Sequence, residues 1–141
     1  MNLVNNFLFI GLPYAAIAVF LIGCIHRYLA TGFKYSSLSS QFLEGRGIYI
    51  FAVLFHWGIL IVFLGHLIAF LFPAATLAWH SDVTRLIADE VVIFTFGLAV
   101  LIGLTGLFIR RISHPRLRVV TSRMDVVIEL LLLAQIVLGL W

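Results

Sequence analysis

The sequence has few charged residues. Lys, Arg, Asp and Glu make up 11% of its 141 residues and hydrophobic residues 63%, whereas a soluble domain is roughly 25% charged. From Gly47 to Ser81 there is no Lys, Arg, Asp or Glu at all. This composition excludes an ordinary soluble domain and predicts an integral membrane protein. The formal net charge of +3 is no indication of a nucleic-acid partner, and we expect none.

The chain also has only one cysteine, and it has no basic region at its N-terminus. Cys24 is the single cysteine, so an internal disulfide is excluded. No positive side chain comes before Arg27, whereas a secretory signal peptide begins with a basic region. We therefore expect the first apolar segment to remain in the mature protein.

Four apolar segments predict transmembrane helices, at about residues 3–25, 47–72, 86–109 and 125–141. Pro13 lies near the start of the first, where the loss of a backbone hydrogen bond is easiest to accommodate. Pro73 ends the second. We expect one domain, residues 1–141, with an all-α fold: an antiparallel bundle of transmembrane helices.

The last predicted span is short. Residues 126–141 provide about 16 residues, or about 24 Å of helix, against a hydrocarbon core of about 30 Å. No polar tail follows. We expect a chain that is cut within or at the end of its fourth span; the alternative is a four-helix protein in which Trp141 is an interfacial anchor.

Basic residues are distributed unevenly between the loops. Eight of the nine lie in the first and third loops: Arg27, Lys34, Arg46, Arg110, Arg111, Arg116, Arg118 and Arg123. The second loop holds only Arg85. Because positively charged loops remain on the cytoplasmic side, the N-terminus is expected outside.

His56 and His66 lie inside the uncharged second segment. An imidazole in hydrocarbon is costly without a partner, so each is a candidate functional residue. On a helix, ten positions rise ~15 Å and leave the two side chains ~80° apart. They cannot share one metal ion. With the N-terminus outside, His56 lies nearer the cytoplasm and His66 nearer the outer face.

Haem is the ligand that best explains this pair, because haem iron takes a neutral imidazole as an axial ligand. Gly58 and Gly65 lie close by, where the lack of a side chain would let a flat macrocycle approach the backbone. One alternative is that both imidazoles bond neighbouring helices. Zinc is a weaker alternative, since it needs three or four converging ligands. No nucleophile–base set or phosphate-binding loop indicates a hydrolase.

The other three histidines lie at helix ends or in loops: His26, His80 and His114. We expect their imidazoles to be solvated or to face lipid headgroups. A bis-histidine haem needs two imidazoles, and the second segment supplies one for each iron. The remaining ligands are therefore expected from a segment absent here or from another subunit.

Several short motifs occur in order along the chain: Pro13-Tyr14, Val19-Phe20-Leu21-Ile22-Gly23, Arg27-Tyr28, Ser39-Ser40-Gln41, Phe55-His56, Gly58-Ile59-Leu60, Gly65-His66, Arg110-Arg111 and Pro115-Arg116-Leu117-Arg118. In their order and spacing the chain resembles the gamma subunit of membrane-bound respiratory nitrate reductase, a five-helix dihaem cytochrome b. The resemblance covers essentially the whole chain. It implies a chain truncated before the fifth helix.

The resemblance also implies roles for individual residues. His56 would be an axial ligand of the cytoplasm-proximal haem and His66 of the distal one, with the other two ligands on the fifth helix. Gly65, His66 and Arg85 would lie at the site where quinol is oxidised. Haem propionates would be contacted by three further residues, in positions matching the family: Tyr28, Ser39 and Arg111.

The function implied is that of a multi-pass cytochrome b subunit in a prokaryotic cytoplasmic (inner) membrane, in nitrate respiration or assimilation. It would oxidise quinol and pass electrons through two b-type haems to an iron–sulfur (beta) subunit. A molybdopterin (alpha) subunit would reduce nitrate. The Arg-rich third loop is expected to dock a subunit or to face membrane lipid.

Two other functions are compatible with the same residues. One is the cytochrome b subunit of a sulfite- or heterodisulfide-reductase-type complex, with another soluble partner. The other is a haem-free membrane anchor, in which His56 and His66 only join helices. A b-type absorption band separates the anchor from both cytochromes.

Overall fold

The computed structural model describes residues 2–31 and 48–141, and these residues form helices with no β-strand. The predicted all-α fold is confirmed. The helices are α1 (Leu3–Asn6), a π-helical segment (Phe7–Gly11), α2 (Leu12–Thr31), α3 (Ile48–Leu71), α4 (Pro73–Trp79), α5 (Val83–Ser113), α6 (Pro115–Val120) and α7 (Arg123–Leu140).

Three stretches are long and apolar enough to cross a membrane: Leu3–Ala30, Ile48–Leu71 and Val83–Ser113. They correspond to the first three predicted spans. The fourth falls in α7, which has 18 residues and includes Arg123, Asp125 and Glu129. α7 is not among the three candidates in the described part of the chain. The fourth span and the external N-terminus stay predictions.

The chain divides into two compact units, Met1–Ser39 and Ser40–Trp141. The expectation of a single domain stays a prediction. In the first unit, α1, the π-helical segment and α2 follow one another without a break. The π-helical segment lies just before Pro13, and the Leu12 backbone N–H donates to the Phe7 carbonyl, five residues back. Such a widened turn accommodates the ring and the missing N–H of proline.

In the second unit, α3 packs against α5 by close approach at glycines. A Cβ atom at Gly58 would lie 2.7 Å from Val100 Cγ2 and 3.0 Å from the Phe96 carbonyl oxygen. A Cβ at Gly103 would lie 2.8 Å from the Phe51 carbonyl oxygen, on α3. Val100 is 2% exposed, so the α3–α5 contact forms the centre of this unit.

Helix α7 packs on another part of α5, because a Cβ at Gly97 would meet Leu140 Cδ2 at 2.8 Å. The short α6 is anchored by Leu117, which is 2% exposed. Helix α5 is therefore the element of the second unit that both α3 and α7 contact.

Two of the helices extend beyond the predicted spans because of capping. Asp82 accepts hydrogen bonds from the backbone N–H groups of Thr84 and Arg85, so α5 begins at Val83 instead of about residue 86. Ser122 and Asp125 form a reciprocal capping box, which starts α7 at Arg123.

Candidate functional site

His56 and His66 both lie on α3, and both are exposed. The face of α3 that meets α5 contains Phe55 and Gly65. Each histidine follows one of these positions directly, so its side chain is turned by about 100° away from it. The α3–α5 contact therefore leaves both imidazoles uncovered within the second unit.

The ring of His66 is held by its own helix. Its Nδ1 lies 2.8 Å from the carbonyl oxygen of Val62. A carbonyl oxygen only accepts hydrogen bonds, so Nδ1 carries the proton and donates it. The Nε2 atom then has a free lone pair on the far side of the ring. This is the tautomer of a metal-ligating histidine, which usually donates its other N–H to a carbonyl or carboxylate.

The imidazole of His56 has an aromatic neighbour. Its ring meets that of Trp57 edge to face, with centroids 6.4 Å apart and an interplanar angle of 79°. Trp57 is 61% exposed. The His56 ring therefore has a broad apolar surface beside it, as a cofactor with a flat apolar ring would require.

The glycines near the histidines face α5. Gly58 is buried against Val100, and a Cβ at Gly65 would lie 2.8 Å from Ile93 Cδ1. The expectation that a macrocycle approaches the backbone at these two positions is wrong for this structure, because side chains of α5 occupy that space. Their role is helix packing. The proposed involvement of Gly65 in quinol binding stays a prediction.

Four residues form a cluster at the junction of α4 and α5, named the outer cluster here: Trp79, His80, Arg85 and Asp89. Asp89 Oδ2 accepts a hydrogen bond from Trp79 Nε1 at 3.0 Å and lies 3.0 Å from His80 Nε2. The Arg85 guanidinium carbon lies 4.6 Å from the centroid of the Trp79 ring. The expected solvated His80 thus has a carboxylate partner.

The sequence alone does not predict Asp89 as a site residue. It lies ten positions after Trp79 and nine after His80. The turn between α4 and α5 brings them together. A carboxylate at the edge of an apolar segment was the available signal, but hydropathy does not show which loop residue it meets.

Arg111 connects α5 to α7 through two carboxylates. Its Nε lies 2.9 Å from Glu129 Oε1, and its Nη1 lies 3.5 Å from Asp125 Oδ2. The Glu129 side chain is only 13% exposed, and its Oε2 is buried with no hydrogen-bond partner among the described residues. The guanidinium is therefore engaged within the second unit, and a propionate contact of Arg111 stays a prediction.

The other two propionate candidates are separate from this cluster. Tyr28 lies on α2 in the first unit, with 75% of its surface exposed. Ser39 lies outside the described residues. Both assignments stay predictions.

No group of three or more His, Cys, Asp or Glu side chains in residues 2–31 and 48–141 is placed to hold a metal ion. A haem brings four nitrogen ligands of its own and needs from the protein only axial ligands. Single, outward-facing imidazoles such as those of His56 and His66 match that requirement.

A family model of the nitrate reductase gamma subunit matches residues 5–141. The chain belongs to this family. It is 36% identical to the respiratory nitrate reductase 2 gamma chain of Escherichia coli (strain K12) over 137 residues, which cover 96% of this chain and 61% of that relative.

Two further gamma chains are similar. The respiratory nitrate reductase 1 gamma chain of Escherichia coli (strain K12) is 37% identical over 145 residues, covering 99% of this chain and 63% of the relative. The nitrate reductase gamma chain of Bacillus subtilis (strain 168) is 31% identical over 131 residues, covering 91% and 58%. The chain thus spans about three fifths of the length of these gamma chains. The predicted family is confirmed, and with it a multi-pass membrane protein.

Proposed function

We propose that this gamma-family chain is the membrane cytochrome b part of a respiratory nitrate reductase. It oxidises quinol near the outer membrane face and conducts electrons inward to an iron–sulfur subunit, while another subunit reduces nitrate. The observation that carries the proposal is the His66 ring, whose Nδ1 bond to the Val62 carbonyl leaves Nε2 free to bind iron.

His66 would hold the outer haem and His56 the inner one. When bound, these b-type haems supply one-electron redox chemistry. The helical rise of ~15 Å between the two positions gives the sites different depths. The chain's own contribution is to fix the His66 ring through the Val62 carbonyl and to place the Trp57 ring beside His56. The second axial ligands are expected from outside residues 1–141.

Quinol would bind beside His66, on the side of the outer cluster. A quinol head has hydroxyl groups on an aromatic ring, so it needs both polar partners and apolar contact. Arg85 and Trp79 offer a cation and an aromatic face in one place. Gly65 lies on the α5-facing side of the same turn as His66, where it keeps the two helices close.

The Arg-rich connection between α5 and α7 is the proposed docking surface for the iron–sulfur subunit. Arg116 and Arg118 are exposed there. Arg118 Nε donates to the Ile112 carbonyl at 2.6 Å, which fixes α6 against the end of α5. The charge bias of the loops supports a cytoplasmic location for this surface.

The deciding experiment is a reduced-minus-oxidised absorption spectrum of membranes that contain the full-length subunit, expressed from its complete gene. We expect a b-type band that quinol generates and nitrate removes. No b-type band would contradict the cytochrome and favour the haem-free anchor. A b-type band that quinol reduces but nitrate leaves reduced would instead favour a sulfite- or heterodisulfide-type complex, although the family match supports nitrate.

A further inference from the structure

The outer cluster contains an imidazole, a carboxylate and an indole in a fixed arrangement. Asp89 Oδ2 accepts from Trp79 Nε1 and lies 3.0 Å from His80 Nε2. A carboxylate oxygen only accepts, so His80 donates Nε2–H and keeps a lone pair on Nδ1. A base held by a carboxylate is the arrangement with which proteins take up protons from substrates.

The position of the pair relative to His66 is given by the α3–α5 contact. Ile93 of α5 packs on Gly65, the residue before His66. Asp89 is one turn before Ile93, so it lies about 6 Å further toward the predicted outer end of α5. The His80–Asp89 pair is therefore on the outer side of His66, between that residue and the outer aqueous phase.

Both side chains of the pair are partly exposed at the junction of α4 and α5. His80 is 31% exposed and Asp89 48% exposed. An imidazole also exchanges protons readily near neutral pH. A proton taken up by His80 therefore has a short exit to solvent.

We propose that His80, positioned by Asp89, accepts the protons of the quinol that is oxidised beside His66. This inference rests on the function proposed above. Each quinol O–H bond that breaks would give its proton to His80 Nδ1, and the electron would pass to the haem that His66 would hold. Two such steps convert quinol to quinone. His80 returns each proton to water on the outer side.

The other charged groups around the pair are few. From α5 they are Asp82, which caps the helix, Arg85 on the Trp79 ring, and Glu90. Helix α4 has no charged residue, and the titratable group of the outer half of α3 is His66. Asp89 is the one that touches His80. It offsets the positive charge of the protonated ring.

The test uses membranes with the full-length subunit and its nitrate-reducing partner subunits. The variants are His80→Gln and Asp89→Asn, with Glu90→Gln as the control, because Glu90 is an exposed carboxylate on the same turn as Asp89. The readouts are haem content, haem midpoint potentials, and the rate of haem reduction by quinol between pH 5 and 9. Haem reduction is followed in rapid-mixing experiments.

We expect His80→Gln to lower the rate of haem reduction by about 100-fold, the low end of what a positioned base contributes. The fall in rate toward low pH should disappear, with haem content and potentials unchanged. Asp89→Asn should also lower the rate, because the His80 ring loses the carboxylate that positions it. Glu90→Gln should match the parent.

Three results would overturn the proposal: an unchanged rate in His80→Gln, an unchanged pH profile in both variants, or loss of the outer haem in both. Loss of the outer haem in both variants would mean that the His80–Asp89 pair only stabilises the packing of α4 against α5. Failure of the proposed function itself is distinguishable, because the parent membranes would then show no quinol-reducible b-type band.

Discussion

At the scale of the residue, the hydrogen bond from His66 Nδ1 to the Val62 carbonyl decides which ring nitrogen is available. The acceptor is the carbonyl four positions back on the same helix, so the ring is oriented without help from another element. His56 is oriented by a different contact, with Trp57. The two imidazoles are therefore held independently, and their loss should have separate effects.

His66→Ala should remove the outer haem and spare the inner one. The b-type band of purified membranes should fall to about half, since one of two haem irons loses an axial ligand. His56→Ala should remove the complementary component, which redox titration distinguishes by midpoint potential. His26→Gln serves as the control. Equal loss of both haems in His66→Ala, with normal subunit content, would contradict separate sites.

Arg111 is the second residue whose removal has a defined consequence. Arg111→Met leaves the largely buried Glu129 carboxylate without its guanidinium partner. We expect a loss of about 2 kcal/mol in the free energy of unfolding. This is less than the about 3–5 kcal/mol for fully buried pairs, because the Arg111 side chain is 28% exposed.

Thermal unfolding of the detergent-solubilised subunit measures this loss. The double variant Arg111→Met, Glu129→Met should be more stable than Arg111→Met alone, because it removes the unpaired carboxylate together with its partner. A double variant as unstable as the sum of the two single ones would show that the ion pair does not couple α5 to α7.

At the scale of the element, α3 and α5 are held together where side chains are absent. Gly103 approaches the backbone of α3, and Gly58 approaches the backbone of α5. Because each glycine lies in direct contact with the main chain of the other helix, a methyl group at either position forces the helices apart.

Gly103→Ala should therefore destabilise the second unit by about 1–3 kcal/mol, the usual cost of overpacking. It should also weaken the inner haem first, since Gly103 faces Phe55, the residue before His56. Gly139→Ala is the matched control, because nothing lies within 4 Å of a Cβ at that position. Melting temperature and the haem spectrum are the measurements. Equal effects of the two substitutions would contradict this packing.

The elements also show how far the sequence predicts this fold. Hydropathy predicts spans at about 47–72 and 86–109; α3 (Ile48–Leu71) lies within the first, and α5 (Val83–Ser113) contains the second. Hydropathy is nearly uniform around α3, so it could not show which face of α3 meets α5. From the sequence, Gly58 and Gly65 suggest room for a cofactor, whereas in the structure they pack against α5. Hydropathy does not predict α4 and α6, because these helices have only 7 and 6 residues. The second span predicted from the sequence ends at Pro73, whereas in the structure Pro73 begins α4, as proline often begins helices.

The candidate site was predicted unevenly for a similar reason. His56 and His66 stand out because a polar group in an apolar segment is costly. Asp89 and Glu129 do not, since their importance depends on partners that the turns of the chain bring to them. Which side chains meet across a turn depends on the folded backbone. A single sequence without a repeated pattern does not show these pairs.

At the scale of the whole molecule, the charge bias of the loops predicts the orientation in the membrane. Basic residues concentrate in the first and third loops, which predicts a cytoplasmic location for those loops. The outer cluster then faces the opposite side.

Cysteine labelling in intact cells tests this orientation. In a Cys24→Ser background, Asn2→Cys should react with a membrane-impermeant thiol reagent, whereas Arg118→Cys should react only after the membrane is permeabilised. Ser81→Cys, at the end of α4, should behave like Asn2→Cys. The reverse pattern would invert the assignment of the inner and outer haems and place the outer cluster in the cytoplasm.

The uncovered imidazoles on α3 have a consequence for biogenesis. Because glycine packing against α5 involves the opposite side of α3 from His56, the helical hairpin can form before any cofactor arrives. It then presents two uncovered imidazoles along one helix, and the Nε2 atom of His66 is already oriented by the Val62 carbonyl. Under the proposed function, haem is inserted late. It then joins the preformed hairpin to whichever segment supplies the second axial ligands. Starving cells of haem should therefore leave a folded, membrane-inserted hairpin that matures when haem is restored.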